Sequence, residues 1–149
     1  MKPSISKSIS VFAQEIMQRV IPLINDEYEK SRLNSWIAIL ILGSMNLDKA
    51  AEDLRIQNDL IKQWLFKYSD KIKKDDLKKE IDNFASLEEQ DIRISSLDES
   101  NQNLRVVLVK AQTYFEQNLD REALKDCWKI LRIMHQHRKV SHFIPLLKG

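Results

Sequence analysis

Apolar residues recur at helical spacing over almost the whole chain, and the interruptions between them divide it into elements. After a loose arm over residues 1–8, Phe12, Ile16 and Val20 share one face of a helix expected from Ser10 to about Ile21. Pro22 interrupts it, because proline lacks a backbone donor and disfavours helix at the residue before it. A kinked continuation carries Leu23, Ile24 and Tyr28. Trp36, Ile37, Leu40 and Ile41 mark a strongly apolar helix, which Gly43 is expected to end with a left-handed residue. From Leu47 to Tyr68 the spacing predicts two short helices with a tight turn at Arg55–Ile56 and Asp48 as the first N-cap. Ile72, Leu77, Ile81, Phe84 and Leu87 then indicate a long, mostly exposed helix with a break near Asp75.

The polar run SSLDESNQN, residues 95–103, is the expected domain boundary. Beyond it Leu104, Val107, Leu108, Ala111 and Phe115 mark one helix, despite the β-branched run RVVLV. Ala123, Leu124, Cys127, Leu131 and Met134 mark a second, flanked by Trp128 and Ile130. A turn near Asn118–Asp120 makes the two an antiparallel hairpin, and the fold class is all-α. The expected parts are an arm and packing helix (1–32), a trihelical unit (33–70), a charged connecting helix (71–98) and a hairpin with a basic tail (99–149).

In the stretch 47–68, Ala50, Ala51 and Leu54 lie on one face, Ile56 falls in the turn, and Ile61, Trp64, Leu65 and Tyr68 repeat at i, i+3, i+4, i+7. The small alanines permit a close helix crossing, with Trp64 expected against Trp36 and Ala51. This arrangement resembles the helix-turn-helix of DNA-binding proteins, except that Arg55 stands where the turn usually has a glycine. The resemblance implies a second helix lying in the major groove of double-stranded DNA. Its reading face is then Gln57, Asn58, Asp59, Lys62 and Gln63, with Phe66 at its edge. Gln and Asn pair bidentately with adenine, and Lys donates to guanine or phosphate. Lys67, Lys71, Lys73 and Lys74 follow as candidate backbone contacts; the five lysines between Lys71 and Lys79 read either as a solvated helical face or as contact with phosphate. Separately, Tyr114 to Leu131 resembles the middle of one tetratricopeptide repeat, which cannot bury both its faces alone.

Composition narrows the function classes. Of 149 residues only two are glycine and three proline, which leaves little material for β-turns. One cysteine, Cys127, cannot form a disulfide within the chain and indicates a reducing compartment, so cytoplasmic is the expectation. The longest apolar run, Trp36 to Leu42, is far short of the ~18 residues that span a bilayer, so no membrane partner is expected. The net charge of +2 announces no polyanion by itself, but residues 80–120 carry 3 basic and 9 acidic groups while residues 121–149 carry 7 and 2. Any polyanion contact should avoid the middle of the chain.

No catalytic constellation and no cofactor motif stands out. There is no glycine-rich phosphate loop, CxxC or HExxH. His135, His137 and His142 lack a neighbouring cysteine or carboxylate to complete a metal site, so no metal is expected. With Arg132, Arg138 and Lys139 they read instead as a basic surface, solvated or touching an anion. Phe115, Trp128, Ile130 and Met134 are the residues expected to bring copies together as a homo-oligomer or to meet a protein partner. The sequence thus points to a non-enzymatic, oligomeric DNA-binding protein, either a transcriptional regulator or a phage-type small terminase subunit. The alternative is an all-helical protein-interaction module without nucleic acid.

Overall fold

Residues 4–89 and 91–139 are described by a computed structural model and, among them, the chain is helical with no strand. Five α-helices carry it: α1 (Ile5–Glu15), α2 (Glu27–Tyr68), α3 (Asp75–Ala85), α4 (Ile94–Gln117) and α5 (Arg121–Arg138). No helix of the described residues is long and apolar enough to cross a membrane. The chain divides into two compact units, the first reaching Ala50 and the second running from Ala51 to Lys139.

In the first unit α1 begins at Ile5, earlier than the arm expected over residues 1–8; residues 1–3 lie outside the described set. The approach to Pro22 is distorted. Ile16–Val20 form a π turn in which the Ile21 N–H bonds the carbonyl of Ile16, and Ile21–Leu23 form a 3-10 turn. Proline has no N–H to give and its ring crowds the carbonyl four residues back, so the regular ladder cannot run through it. Asp26 then caps α2, its Oδ1 accepting from the Tyr28 N–H at 2.8 Å and the Glu29 N–H at 3.1 Å. Ala13 and Ile37 are the buried apolar side chains here, and the hydroxyls of Ser10 and Ser44 meet at 2.7 Å across the two helices.

α2 corrects three expectations. Gly43 does not end a helix: it lies inside α2, without a positive φ, and a Cβ built on it meets nothing within 4 Å. No turn interrupts the helix at Arg55–Ile56, so the two-helix reading of 47–68 is replaced by one helix. Position 48, expected as an N-cap, is interior to it, and its side chain lies outside the described set. The physical reason is visible in the chain: between Gly43 and Tyr68 there is neither glycine nor proline to break the ladder.

The second unit is built on an aromatic cluster. Trp64, Tyr68 and Phe115 pack with ring centroids 5.6 to 5.9 Å apart, in tilted and edge-to-face geometry. The Trp64 indole N–H donates to the carbonyl of Ala123 at 3.0 Å, which satisfies its one polar atom inside the core. Trp64 is therefore buried as expected, but against α4 and α5; Trp36, on the same helix α2, is half exposed and Ala51 is not its cover. Ile72, Leu77, Ile81 and Ala85 close the core from the α3 side. Residues 95–103 are not a break. They form the first turns of α4, with Leu97, Asn101 and Leu104 buried at helical spacing.

α4 and α5 form the expected hairpin. α4 ends with the Asp120 N–H on the Phe115 carbonyl and the Leu119 N–H on that of Glu116, and Asp120 Oδ1 caps α5 by accepting from the Ala123 N–H. Leu119 sits at φ 53° in this turn, where a β-carbon is crowded. Its side chain is 81% exposed, so little packing is lost by removing it. Leu119→Gly should therefore stabilise the protein by about 1 kcal/mol, measured as a rise in the urea midpoint. A fall would show that the turn holds another conformation.

Candidate interaction surfaces

The face expected to read DNA points largely inward. Gln57 and Asn58 are among the few buried polar residues of the protein. Gln57 Nε2 lies 3.2 Å from His137 Nδ1, and Asp53 Oδ1 approaches the same nitrogen at 3.6 Å. Asn58 Nδ2 donates to Glu89 Oε1 at 2.6 Å and to the Leu97 carbonyl at 3.1 Å, while its Oδ1 accepts from Asn101 Nδ2 at 2.9 Å. Lys62 donates to the Leu87 carbonyl at 2.5 Å and stands 4.0 Å from Glu89. Asp59 and Gln63 remain exposed, and Phe66 is about half exposed. An amide removed from water costs about 1–3 kcal/mol unless it is hydrogen-bonded, so these side chains serve the interior first.

Two of the four lysines expected on phosphate are engaged with carboxylates of α5 and its cap. Lys67 and Asp126 meet at 2.7 Å, and Lys71 reaches Asp120 at 3.1 Å and Glu122 at 3.2 Å. Donating to Asp126 holds Lys67 above the ordinary ammonium range, and donating to Asp120 and Glu122 raises Lys71. In return Lys129, then Lys67 and the Tyr68 hydroxyl, hold Asp126 well below the usual carboxylate range. Lys73 and Lys74 are exposed and, among the described residues, carry no ion pair. Of the proposed DNA contacts, only Asp59, Gln63, Lys73 and Lys74 are thus both exposed and uncommitted.

The residues expected to join copies of the chain need the same correction. Phe115, Ile130 and Met134 belong to the core of the second unit, and Trp128 alone of the four is exposed. The sequence placed them on one apolar helical face, and that face is covered by α2 and α3 rather than by a partner. Cys127 is buried there too, and burial pushes its thiol up to about 11, which leaves it unreactive.

Two surfaces stand out in exchange. The first unit exposes large apolar side chains in unusual density: Phe12 at 61%, Leu23 at 80%, Trp36 at 53% and Ile39 at 66%, beside others on α1 and α2. The second is on α5, where Arg121, Lys125, Trp128 and Arg132 follow at intervals of four, three and four and line one shallow depression. Among the described residues Arg121, Lys125 and Arg132 have no acidic partner, while Lys129 is held by Asp126 at 2.7 Å. The basic tail expected from Arg132 onward ends, with His142, outside the described residues. Groups of three or more metal-ligating side chains do not occur among the described residues.

The buried amides give a direct check. Asn58→Ala should cost about 1–3 kcal/mol in urea unfolding, because Asn101 loses its acceptor and the Leu97 carbonyl its donor. Gln63→Ala, one turn further and exposed, should stay within about 0.5 kcal/mol of wild type. Equal effects would contradict this division of the helix.

No protein-family model matches the chain, and neither a curated protein nor a solved structure shows detectable similarity to it.

Proposed function

We propose that the protein is a helical protein-interaction module, in which the second unit is a self-sufficient folded base and the first is a helical hairpin completed by a helix of another chain. The carrying observation is the contrast between the two. From Ile61 to Met134 a continuous core buries its apolar side chains, whereas the first unit buries Ala13 and Ile37 and leaves its largest ones in water. Those exposed side chains together present on the order of 1,000 Å² of apolar surface, comparable with one side of a specific protein interface. Apolar exposure of that extent on so small a unit favours an interaction role.

The module should bind an apolar fluorescent dye at submicromolar protein concentration and form larger species at tens of micromolar in sedimentation equilibrium. Replacing Phe12, Leu23 and Ile39 with glutamate should abolish both without moving the main urea transition, which belongs to the second unit. A wild-type chain that binds no dye and stays monomeric throughout would overturn this reading.

A second reading, contact with nucleic acid, is favoured by the α5 face. An exposed indole among unpaired basic groups is a stacking platform beside phosphate donors, which suits single strands better than duplex. A regulatory or DNA-packaging role would then run through α5 and not through α2. Fluorescence anisotropy with single-stranded and duplex oligonucleotides over a salt series separates the outcomes. Trp128→Ala should weaken single-strand binding alone, whereas Arg132→Ala should weaken both and flatten the salt dependence. No binding at low salt removes this second reading and leaves the first untouched.

A further inference from the structure

Between α4 and α5 the second unit holds a depression of about 270 Å³ in which basic groups meet an apolar floor. Leu131, Met134, His135 and Arg138 follow along α5 at intervals of three, one and three, and α4 contributes Arg105 and Leu108. Leu108 and Met134 are buried and Leu131 is partly exposed, while Arg105, His135 and Arg138 are exposed at the mouth. Among the described residues none of these three basic groups has an ion pair. Asp98, whose charge reaches Arg138, instead accepts from Gln102 Nε2 at 2.8 Å. Partial burial, and after it the charge of Arg105, holds Arg138 below the ordinary guanidinium range. Two like charges thus face one depression without a neutralising group between them, a cost that a bound anion removes.

We propose that this depression is an anion site, and that its ligand is a phosphate monoester joined to a small apolar group. It lies wholly within the second unit and goes beyond the interaction-module reading, which concerns the first. Charge selects the anion. Two guanidinium groups match a phosphate monoester, which carries nearly two negative charges at neutral pH, whereas a carboxylate leaves one of them uncompensated. Geometry agrees, because a guanidinium pairs two N–H groups with two oxygens, and three free phosphate oxygens serve both arginines and the imidazole N–H. The floor selects the rest of the ligand. Leu108, Leu131 and Met134 have no side-chain N–H to offer a free phosphate, but they cover an aryl ring or the first carbons of a chain. The volume falls just short of the ~300–1,000 Å³ typical of drug-sized ligands, so the enclosed apolar part is small. Phenyl phosphate and the headgroup region of phosphatidic acid share this chemistry.

Calorimetric titration of the full chain at low ionic strength, with phenyl phosphate as the probe, tests the site. Phenyl phosphate should bind about tenfold more tightly than inorganic phosphate or benzoate, and phenol should not bind. Arg105→Gln and Arg138→Gln should each weaken it about tenfold. Lys49→Gln, which removes the same charge from an exposed position of α2, should leave it unchanged. In the wild type, the magnetic resonance signals of Arg105, His135 and Arg138 should shift during the titration, a readout that stands even where a variant unfolds. Vesicles of phosphatidylcholine with and without phosphatidic acid identify the source. Wild-type sedimentation that requires phosphatidic acid and is lost in Arg105→Gln assigns the site to a lipid headgroup; phenyl phosphate binding without sedimentation assigns it to a soluble ester. Inorganic phosphate or benzoate binding as tightly as phenyl phosphate would overturn the proposal. So would signal shifts confined to the face of α5 around Trp128, or no binding of phenyl phosphate at low salt.

Discussion

The second unit depends on a buried amide pair. Asn58 of α2 and Asn101 of α4 are both fully buried and joined to each other, Asn101 Nδ2 donating to Asn58 Oδ1 at 2.9 Å. Apolar contacts alone let two helices slide by a turn at modest cost, since one leucine replaces another. A buried amide does not permit this, because sliding leaves its donor and acceptor dry and unpaired. The pair therefore fixes the register of α2 on α4. Asn58 extends the same constraint to the connecting segment through Glu89 and to the start of α4 through the Leu97 carbonyl. One turn further along α2 begins the aromatic cluster, in which Trp64 is anchored by its own hydrogen bond to Ala123. Polar specificity at one end and ring packing at the other leave α2 one way to sit in this unit.

The same amides explain what could and could not be read from the sequence. The fold class, the α4–α5 hairpin and most of its core, including Leu104, Val107, Leu108, Ala111 and Phe115, followed from apolar spacing, because those positions face inward and are apolar. Apolar spacing fails to mark α2 where inward positions are polar. Leu54, Gln57, Asn58, Ile61, Trp64, Leu65 and Tyr68 form one continuous helical stripe only if the two amides are counted as interior. Counted as exterior, they cut the stripe in two and turn a core contact into an apparent reading face. The absence of glycine or proline near Arg55 was the local signal against a turn. Similarly, SSLDESNQN looked like a linker because serine, aspartate and asparagine favour turns, yet Leu97 and Asn101 carry its inward face and the polar majority faces solvent.

Ion pairing redistributes charge in a way that no tally along the chain reveals. Lys67 and Lys71 contribute to a basic stretch in sequence, but in space they neutralise Asp126, Asp120 and Glu122 of the α5 region. With Asp126 also bonded to Lys129 and the Tyr68 hydroxyl, the acidic groups of α5 are used up on its inward side. What remains on the outer side is the unpaired set Arg121, Lys125 and Arg132 around Trp128. Positive character is thus lost at Lys67 and Lys71, kept at Lys73 and Lys74, and left uncompensated on the outer side of α5.

The two units solve the problem of a polar, charge-rich chain differently. Between Ala51 and Lys139 four helical segments surround one core, and each inward face has a neighbour. Among the described residues the first unit consists of α1, the turns through Leu23 and the beginning of α2, and two helices cover only one face of each other. The small residues at their contact, Ala13, Ser10 and Ser44, bring the backbones together but bury little apolar area. A sequence under no other demand would place polar groups on the remaining faces of so thin a hairpin. This one instead places Phe12, Leu23, Trp36 and Ile39 there. Side chains of that kind cost solubility in a free hairpin and gain stabilisation when another helix covers them, which is the physical ground on which the proposed interaction module rests.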